Sequence, residues 1–329
     1  MCLSCSLSLS LNSTVANISK IRFQDLFSFS PLLVSLHHDP DHTSEPLLKE
    51  APTGTTNTLM TTTLDDLKLH TWTPKEKPRA VCVIFHGFLA HGRYPTVRYA
   101  AELLSENGCV VYAADMKGHG ESPGTKGYIE SADQWIDDGS KVAKHAQAQH
   151  EGLPLFLVGS SMGGTVALLV AEKISVSGVV LLAPMLKLKV SSIEASLLSM
   201  LNVVCSGLRL IPSSSTNSEK QCRDPVKRQE CDEDVMTTKS SYIYVGSANT
   251  AVQMTQLVPQ TLQPPVLLLV ADEDIVVSPQ GSVDWFESLV ADDKTMKRYP
   301  ALHALLCEPS PLVEQIGADL VAWVKERMS

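Results

Sequence analysis

The sequence predicts an α/β protein with a mostly parallel central sheet and helices on both faces. Strand patterns alternate with helical patterns along most of the chain, and most of the strand patterns are continuous apolar runs. Such runs are typical of strands covered on both faces, whereas half-exposed strands alternate. The 329 residues are enough for one large domain with an insertion or for two smaller domains.

Each element of this alternation has its own signal. Strand patterns occur in LKLHTW, AVCVIFHG, CVVYAAD, LPLFLVG, VSGVVLLAP, PPVLLLVAD and TMKRYP. Helical spacing occurs in PTVRYAAELLSENG, SADQWIDDGSKVAKHAQAQH, SMGGTVALLVAEKI and LVEQIGADLVAWVKERM. Asn107 and Gly108 should end the first of these helices, and Ser131 should cap the second.

Two regions interrupt the pattern. Residues 1–60 are rich in Ser and Leu and then in turn-forming residues, which predicts an N-terminal extension that is disordered or serves organelle targeting. Residues 61–186 and 261–329 form the predicted core. Between them, residues 187–260 combine an apolar run with Ser-rich and charged stretches. We predict that this insertion is a helical cap and call it the cap segment.

Composition argues against several classes of function. The formal net charge of −9 argues against a nucleic-acid partner, because phosphate contacts need clustered Lys and Arg. No apolar stretch approaches the ~18 residues that indicate a membrane-spanning helix. We therefore expect a cytoplasmic or peripheral membrane location, with organelle targeting through the extension as the alternative.

The eight cysteines predict neither a zinc site nor a redox motif. Cys2 and Cys5 form the only C-x-x-C pattern, and no second pair accompanies it. Three cysteines in apolar stretches are expected to be buried: Cys82, Cys109 and Cys307. Cys222 and Cys231 could pair in an oxidising compartment, although nothing in the sequence requires it.

The strand LPLFLVG runs directly into Gly-Ser-Ser-Met-Gly and then into a helix. This is a G-x-S-x-G pattern centred on Ser161, in the strand–turn–helix context that a nucleophile elbow needs. A strained backbone at the central residue projects its side chain above the sheet, and the flanking glycines let strand and helix pack closely. Ser161 is therefore the candidate nucleophile.

A serine hydroxyl needs a base and an orienting acid, which follow the nucleophile in this topology. His303 is the only one of ten histidines that comes after Ser161, so it is the candidate base. The acid should follow the strand PPVLLLVAD, where Asp272, Glu273 and Asp274 compete. We prefer Asp274 and keep Asp272 in reserve, because spacing alone does not separate them.

Acyl transfer also needs backbone donors for the oxyanion. The amide of Met162 follows the nucleophile, and the amide of Phe88 lies in the loop HGFLAHGRY after the first buried strand. His86 should brace this loop, and His119 in the following Gly-rich loop should be structural as well.

Six motifs in order resemble the monoacylglycerol lipase family of α/β-hydrolases, which includes lysophospholipases and the plant caffeoylshikimate esterases. The motifs are HGFLAHGRY, DMKGHGESPGTKGY, GSSMGGTVAL, LLAPML, ADEDIVVSP and HALLCEP, and the likeness covers residues 64–328. It implies the α/β-hydrolase fold, Ser161 as nucleophile, Asp274 as acid and His303 as base. It further implies Phe88 and Met162 as oxyanion donors and a lid formed by the cap segment.

The first motif departs from the family pattern H-G-x-G-E-H-S-x-R-Y. The loop is one residue shorter, with Leu89 and Ala90 where the family has Gly and Glu. His91, Arg93 and Tyr94 remain, and the resemblance implies His91 and Arg93 as substrate-binding residues.

The expected activity is hydrolysis of a carboxylic ester, with monoacylglycerol as the first candidate substrate. A phenolic ester such as caffeoylshikimate and a lysophospholipid are the alternatives on the same fold. A ligand-binding sensor without turnover is the alternative from a different class, and acyl transfer to an alcohol would use the same residues. No metal or organic cofactor is expected.

The apolar run 195–211 is either the core of the cap or a surface for transient membrane contact.

Overall fold

The strands and helices follow the predicted alternation. The computed structural model describes residues 58–188, 190–213, 215 and 217–328, which belong to a compact unit spanning Asn57–Ser329. The strands are β1 (Thr58–Leu64), β2 (Leu67–Thr73), β3 (Ala80–Phe85), β4 (Cys109–Ala114), β5 (Leu155–Ser160), β6 (Gly178–Leu182), β7 (Arg209–Pro212), β8 (Tyr242–Tyr244), β9 (Val266–Ala271) and β10 (Lys294–Tyr299). The helices are α1 (Pro95–Glu106), α2 (Ala132–Gln149), α3 (Met162–Ala171), α4 (Ser192–Cys205), α5 (Ser218–Gln221), α6 (Pro225–Glu233), α7 (Val245–Gln256), α8 (Pro279–Ser288) and α9 (Leu312–Lys325), with a 3₁₀ turn at Leu305–Cys307.

The central sheet contains eight strands in the order β1-β2-β4-β3-β5-β6-β9-β10. Strand β2 runs antiparallel to both β1 and β4, and the remaining pairs are parallel. The prediction of a mostly parallel sheet is confirmed. Because parallel strands end at the same edge, the loops after β3, β5, β9 and β10 lie on one side of the molecule.

Both faces of the sheet are covered, as the continuous apolar runs predict. In β3, Val83 and Phe85 join the buried cluster that contains Trp135 of α2. Cys82 and Ile84, which alternate with them, join the cluster on the opposite face, to which α1 and α9 contribute. This alternation explains why β3 has no polar face in the sequence.

Some elements carry no clear signal in the sequence. Strand β1 begins at Thr58, within the predicted extension, and most of its residues are exposed. Backbone pairing with β2 holds this edge strand, so it needs no apolar periodicity. The structure also contains helix α8 between β9 and β10, which the sequence analysis did not identify.

The cap segment contains strand pairing as well as the predicted helices. Strands β7 and β8 pair antiparallel in a separate two-stranded sheet. Helices α4, α5, α6 and α7 account for most of the other described residues of this segment. None of the helices in the described part of the chain is long and apolar enough to cross a membrane. Residues 1–57 of the predicted extension lie outside the described residues, so the targeting prediction stays a prediction.

Candidate active site

Ser161 sits at a strained turn between β5 and α3. Its backbone has φ 55° and ψ −123°, a conformation that costs about 1–3 kcal/mol for a residue other than glycine. Its amide donates to the Leu182 carbonyl of β6 at 3.0 Å, and its carbonyl accepts from Met185 at 2.9 Å. The neighbouring strand therefore holds the turn in place. The Ser161 hydroxyl makes no capping bond to α3, so it is not occupied by the helix.

The two flanking glycines are required by close packing. A Cβ on Gly159 would lie 2.2 Å from the Gly163 carbonyl oxygen. A Cβ on Gly163 would lie 2.0 Å from the Phe85 carbonyl oxygen of β3. Both distances are far below van der Waals contact, and both obstacles are backbone atoms. The G-x-S-x-G spacing is thus a condition for packing α3 against the sheet.

His303 and Asp274 form a buried pair on the loops that follow β10 and β9. His303 Nδ1 lies 2.6 Å from Asp274 Oδ2, and both residues are less than a tenth exposed. Asp274 Oδ1 accepts from the amides of Val276 and Val277 at 2.7 and 3.0 Å. These amides fix the carboxylate, which accepts the Nδ1 proton and leaves Nε2 of the imidazole as the acceptor.

The three acids that competed in the sequence have different partners. Asp274 contacts His303, as described above. Asp272 accepts from Arg298 Nε at 2.8 Å, and Glu273 pairs with Arg223 at 2.6 Å. Of the three, the structure brings Asp274 to the histidine.

Ser161 and His303 line one small cavity at the carboxyl edge of the sheet. The cavity has a volume of about 50 Å³. Its lining from the core includes Gly87, Phe88, Leu89, Ala90, Tyr94, Thr96, Ser160, Ser161, Val276, His303 and Ala304. The described lining residues from the cap segment are Ser215, Gln221 and Thr237. Because described residues of the cap segment form part of its wall, movement of that segment would change the space open to a substrate.

Phe88, in the loop after β3, lines this cavity. Nδ1 of His86 lies 2.7 Å from the Gly87 carbonyl, and its Nε2 accepts from the Met116 amide at 3.0 Å. With Nε2 accepting, Nδ1 carries the proton and donates it to Gly87. Burial lowers the pKa of His86 to about 4, so this neutral form persists at neutral pH.

The hydrogen bond from His86 sets the direction of the next amide. In a trans peptide the carbonyl and the N–H point in opposite directions, so fixing the Gly87 carbonyl also fixes the Phe88 N–H. Among the described residues, neither the Phe88 amide nor the Met162 amide has an acceptor. Met162 begins α3, where free N–H groups favour negative charge.

A buried aspartate that sequence analysis did not single out organises the loops behind the site. Asp115 accepts from His70 Nε2 and the Gly92 amide through Oδ1, and from the Glu121 amide through Oδ2. Burial alone would raise the pKa of Asp115, but these hydrogen bonds outweigh it and hold the pKa far below its ordinary value. The sequence signal that could have identified Asp115 is its position directly after the apolar strand β4.

His91 and Arg93, predicted to bind substrate, have other partners. His91 Nδ1 accepts from the Arg93 amide, so Nε2 donates to Asp234 of the cap segment at 2.6 Å. Arg93 pairs with Glu121 at 3.1 Å. Neither residue is among those that line the cavity. They connect the loop after β3 to its surroundings, and their binding of substrate stays a prediction.

The fold and the arrangement of these residues define the class as α/β-hydrolase. The chain belongs to the Hydrolase_4 family, described as "Serine aminopeptidase, S33", whose model matches residues 76–310. The predicted resemblance to monoacylglycerol lipases is confirmed by this match and by individual relatives. We conclude that the protein is a serine hydrolase of the monoglyceride lipase kind.

The relatives differ in how much of their length this chain covers. It is 27% identical over 262 residues to a monoacylglycerol lipase of Mycolicibacterium smegmatis, covering 77% of this chain and 90% of that protein. It is 28% identical over 288 residues to an uncharacterized abhydrolase domain-containing protein of Dictyostelium discoideum, covering 84% of this chain but 29% of that protein. The crystal structure of Paleococcus ferrophilus monoacylglycerol lipase has a TM-score of 0.68 and 28% identity, covering 79% of this chain and 99% of that one.

Proposed function

We propose that the protein hydrolyses lipid monoesters, monoacylglycerol first, through an acyl-enzyme on Ser161. The observation that carries this proposal is the shared cavity. Ser161, His303 and Phe88 line it, Ser161 has a strained backbone, and Asp274 is hydrogen-bonded to His303.

In the first half of the reaction, Ser161 Oγ attacks the ester carbonyl while His303 Nε2 takes its proton. Asp274 holds the imidazole by Nδ1 and stabilises the imidazolium that forms. The amides of Phe88 and Met162 donate to the oxyanion, and each such donor contributes about 3–4 kcal/mol to the transition state. His303 then protonates the departing alcohol, which leaves the acyl group on Ser161.

In the second half, water replaces the alcohol. His303 removes a proton from the water, and the hydroxide attacks the acyl carbonyl through the same oxyanion site. Ser161 recovers its proton from His303, and the carboxylic acid leaves. No step requires a metal or an organic cofactor.

The preference for a lipid substrate rests on two observations. The relative from M. smegmatis is named a monoacylglycerol lipase, and it covers most of this chain. Helix α4 of the cap segment also exposes large apolar side chains, including Ile193 at 75%, Met200 at 68%, Val203 at 85% and Val204 at 86%. We propose that this face makes transient contact with a lipid surface while the cap segment admits the substrate.

An ester panel with the purified full chain tests the substrate. It compares a long-chain monoacylglycerol, a lysophospholipid, caffeoylshikimate and a short soluble ester. We expect the highest kcat/KM for monoacylglycerol. A higher value for either of the other two natural ester classes would replace the substrate assignment and leave the mechanism intact.

Ser161→Ala, with Ser160→Ala as its matched control, tests the mechanism. Both serines line the cavity, so loss of activity and of fluorophosphonate labelling in Ser161→Ala alone would support the proposal. Full activity in Ser161→Ala would overturn it. Labelling of Ser161 together with negligible steady-state turnover of every ester would favour the ligand-binding sensor instead.

A further inference from the structure

Arg223, in the cap segment between α5 and α6, contacts the two loops that carry the proposed base and acid. Its Nη1 donates to the Pro300 carbonyl at 2.7 Å and lies 3.5 Å from Oε2 of Glu308. Its Nη2 donates to the Glu273 carboxylate at 2.6 Å. One side chain of the cap segment therefore connects the loop after β10 with the loop after β9.

The loop after β10 is held on both sides of His303. The Leu302 amide, just before the histidine, donates to Oε1 of Glu308 at 2.7 Å. The Ala304 amide, just after it, donates to the Gln221 carbonyl of the cap segment at 2.7 Å. The backbone that carries the imidazole thus depends on the Glu308 carboxylate and on the position of the cap segment.

The Glu308 carboxylate is buried and depends in turn on Arg223. It is 1% exposed, and burial raises its pKa, while the Leu302 amide and Arg223 act against that rise. Among the ion pairs of the described residues, Glu308 takes part in the one with Arg223 alone. Loss of one partner of a buried ion pair leaves the other charge uncompensated, which is costly. Arg223 therefore favours the ionised carboxylate that holds the Leu302 amide.

The loop that carries Asp274 is tied to the same place. Glu273 immediately precedes Asp274, and its amide donates to the Ala301 carbonyl at 3.0 Å. Its carboxylate accepts from Arg223, as described above. The backbones of the two loops therefore meet next to the proposed pair, and Arg223 supplies a second connection between them through its side chain.

A second arginine joins the cap segment to the core without touching these loops. Arg98 of α1 pairs with Glu230 of α6 and with Glu102 of its own helix. The side chains of Arg98 and Arg223 are 38% and 34% exposed. Arg98 is therefore a matched control, because it has the same charge, similar exposure and a partner in the cap segment.

We propose that Arg223 is a positioning residue that holds His303 and Asp274 at hydrogen-bonding distance while the cap segment is in the observed position. This role rests on the proposed function, in which His303 is the base. Movement of the cap segment away from the core withdraws Arg223 from both loops, and its return restores the 2.6 Å contact of the pair. Proton transfer from Ser161 is thereby coupled to the position of the cap segment.

Steady-state kinetics of Arg223→Met and Arg98→Met on a short soluble ester test this role. Displacement of the base should lower kcat in Arg223→Met by about 10–100-fold. KM should change by less than about threefold, because the ester itself does not contact Arg223 in the proposed mechanism. Arg98→Met should leave kcat within about twofold of the wild type. An unchanged kcat in Arg223→Met, or equal losses in the two variants, would overturn the role.

The variant Arg223→Lys separates position from charge. Lysine keeps the positive charge but has a single nitrogen, whereas Nη1 and Nη2 of Arg223 serve different loops. We expect Arg223→Lys to recover less than about half of the kcat that Arg223→Met loses. Wild-type kcat in Arg223→Lys would show that charge alone suffices and would overturn the positioning role.

Proton NMR of the full-length protein, labelled with nitrogen-15 histidine, tests the geometry without any ester. The Nδ1 proton of His303 should give a low-field signal in the wild type, because it is buried in a short hydrogen bond to Asp274. Arg223→Met should shift this signal upfield and broaden it, whereas Arg98→Met should leave it unchanged. A signal that Arg223→Met leaves unchanged would overturn the positioning role.

The same spectra distinguish failure of this role from failure of the proposed function. The low-field signal and its response to Arg223→Met should persist in a Ser161→Ala background, which cannot form an acyl-enzyme. If the response is seen but Ser161 proves not to be the nucleophile, the proposed function fails and the positioning of the pair stands. Absence of the signal from the wild type would overturn both.

Glu273→Gln provides a second variant in case Arg223→Met does not fold. Glu273 has a side chain that is 56% exposed, so the substitution should leave Tm nearly unchanged in differential scanning calorimetry. It weakens the arm of Arg223 that reaches the loop after β9 and should lower kcat by about threefold. Wild-type kcat in Glu273→Gln would overturn the connection between the two loops.

Discussion

The sheet core and the cap segment differ in how much of their apolar surface they bury. Every residue of β3 and of β9 is buried, whereas Leu198 is the one buried residue among the 14 of helix α4. The groups proposed for chemistry all come from the ends of core strands. The described cap residues that line the cavity are Ser215, Gln221 and Thr237, which close it without supplying a nucleophile or base in the proposed mechanism. Changes in the core should therefore alter chemistry and folding, and changes in the cap segment other than at Arg223 should alter access.

The largest expected effect is on kcat, and it distinguishes two neighbouring acids of the core, Asp274 and Asp272. Asp274→Asn should lower kcat by about 10⁴-fold, because the amide favours the wrong tautomer of His303. Asp272→Asn breaks only a partly exposed pair with Arg298 and should leave kcat within about twofold. Steady-state assays of both variants on one ester give the comparison. Equal losses in the two variants would contradict the assignment of the acid.

The second effect is on thermal stability, and it is measured by replacing one glycine in the core and one in the cap segment. Gly163→Ala drives a Cβ against the Phe85 carbonyl and should destabilise the fold by about 3 kcal/mol or more. The expected drop in Tm is about 6–12 °C. Gly207→Ala, in the cap segment, meets no atom within 4 Å and should leave Tm nearly unchanged. Differential scanning calorimetry measures both, and similar Tm values for the two variants would show that the elbow is less tightly packed than described.

The third effect concerns the link between His91 and Asp234, which joins the two regions. Burial alone would raise the pKa of Asp234, but the interaction with His91 and the hydrogen bonds from Met236 and Thr237 together outweigh burial and lower the pKa from 3.8 to about 2. A lowered pKa means that the stabilisation is fully present above about pH 4 and is lost as the pH falls toward 2. At neutral pH, Asp234→Asn should therefore cost about 1.5 kcal/mol.

Urea unfolding of the wild type and Asp234→Asn between pH 7 and pH 3 measures this difference. It should be constant above about pH 4 and shrink below it. The control Glu121→Gln breaks the more exposed pair with Arg93 and should cost less than about 1 kcal/mol. A difference that grows on acidification would contradict the sign of the linkage.

The smallest expected effect on stability comes from the exposed face of α4. Replacing Val203 and Val204 by Ser should change the free energy of unfolding by less than about 0.5 kcal/mol per site, because both are more than four-fifths exposed. The same variant should bind vesicles more weakly, since it removes apolar surface from the proposed membrane face. Leu268→Ala in β9 should instead cost about 2–5 kcal/mol and leave vesicle binding unchanged. Unchanged vesicle binding by the α4 variant would remove the case for membrane contact.

The sequence predicted best those features that depend on local patterns. Apolar runs identified the buried strands, and the G-x-S-x-G pattern identified the turn at Ser161 because sterics require glycine there. The sequence did not predict strand β1, because backbone pairing at a sheet edge leaves its side chains exposed. Helix α8 was not predicted either, although Ser278 provides its N-cap and Pro279 its first helical residue.

Features that depend on contacts between distant residues could not be read from the sequence. Asp272 and Asp274 are equivalent by spacing, and they separate only when Arg298 and His303 are in place. The pairing of His91 with Asp234 joins residues 143 positions apart, and no local sequence pattern predicts it.

The central claim is that Ser161 carries the acyl group during turnover. Rapid mixing of the protein with excess short-chain ester, acid quenching and peptide mass spectrometry locate any acyl adduct directly. The account predicts an acyl mass on Ser161 that forms before steady state and is absent in Ser161→Ala. An adduct on Ser160, or steady turnover with Ser161 never modified, would contradict it.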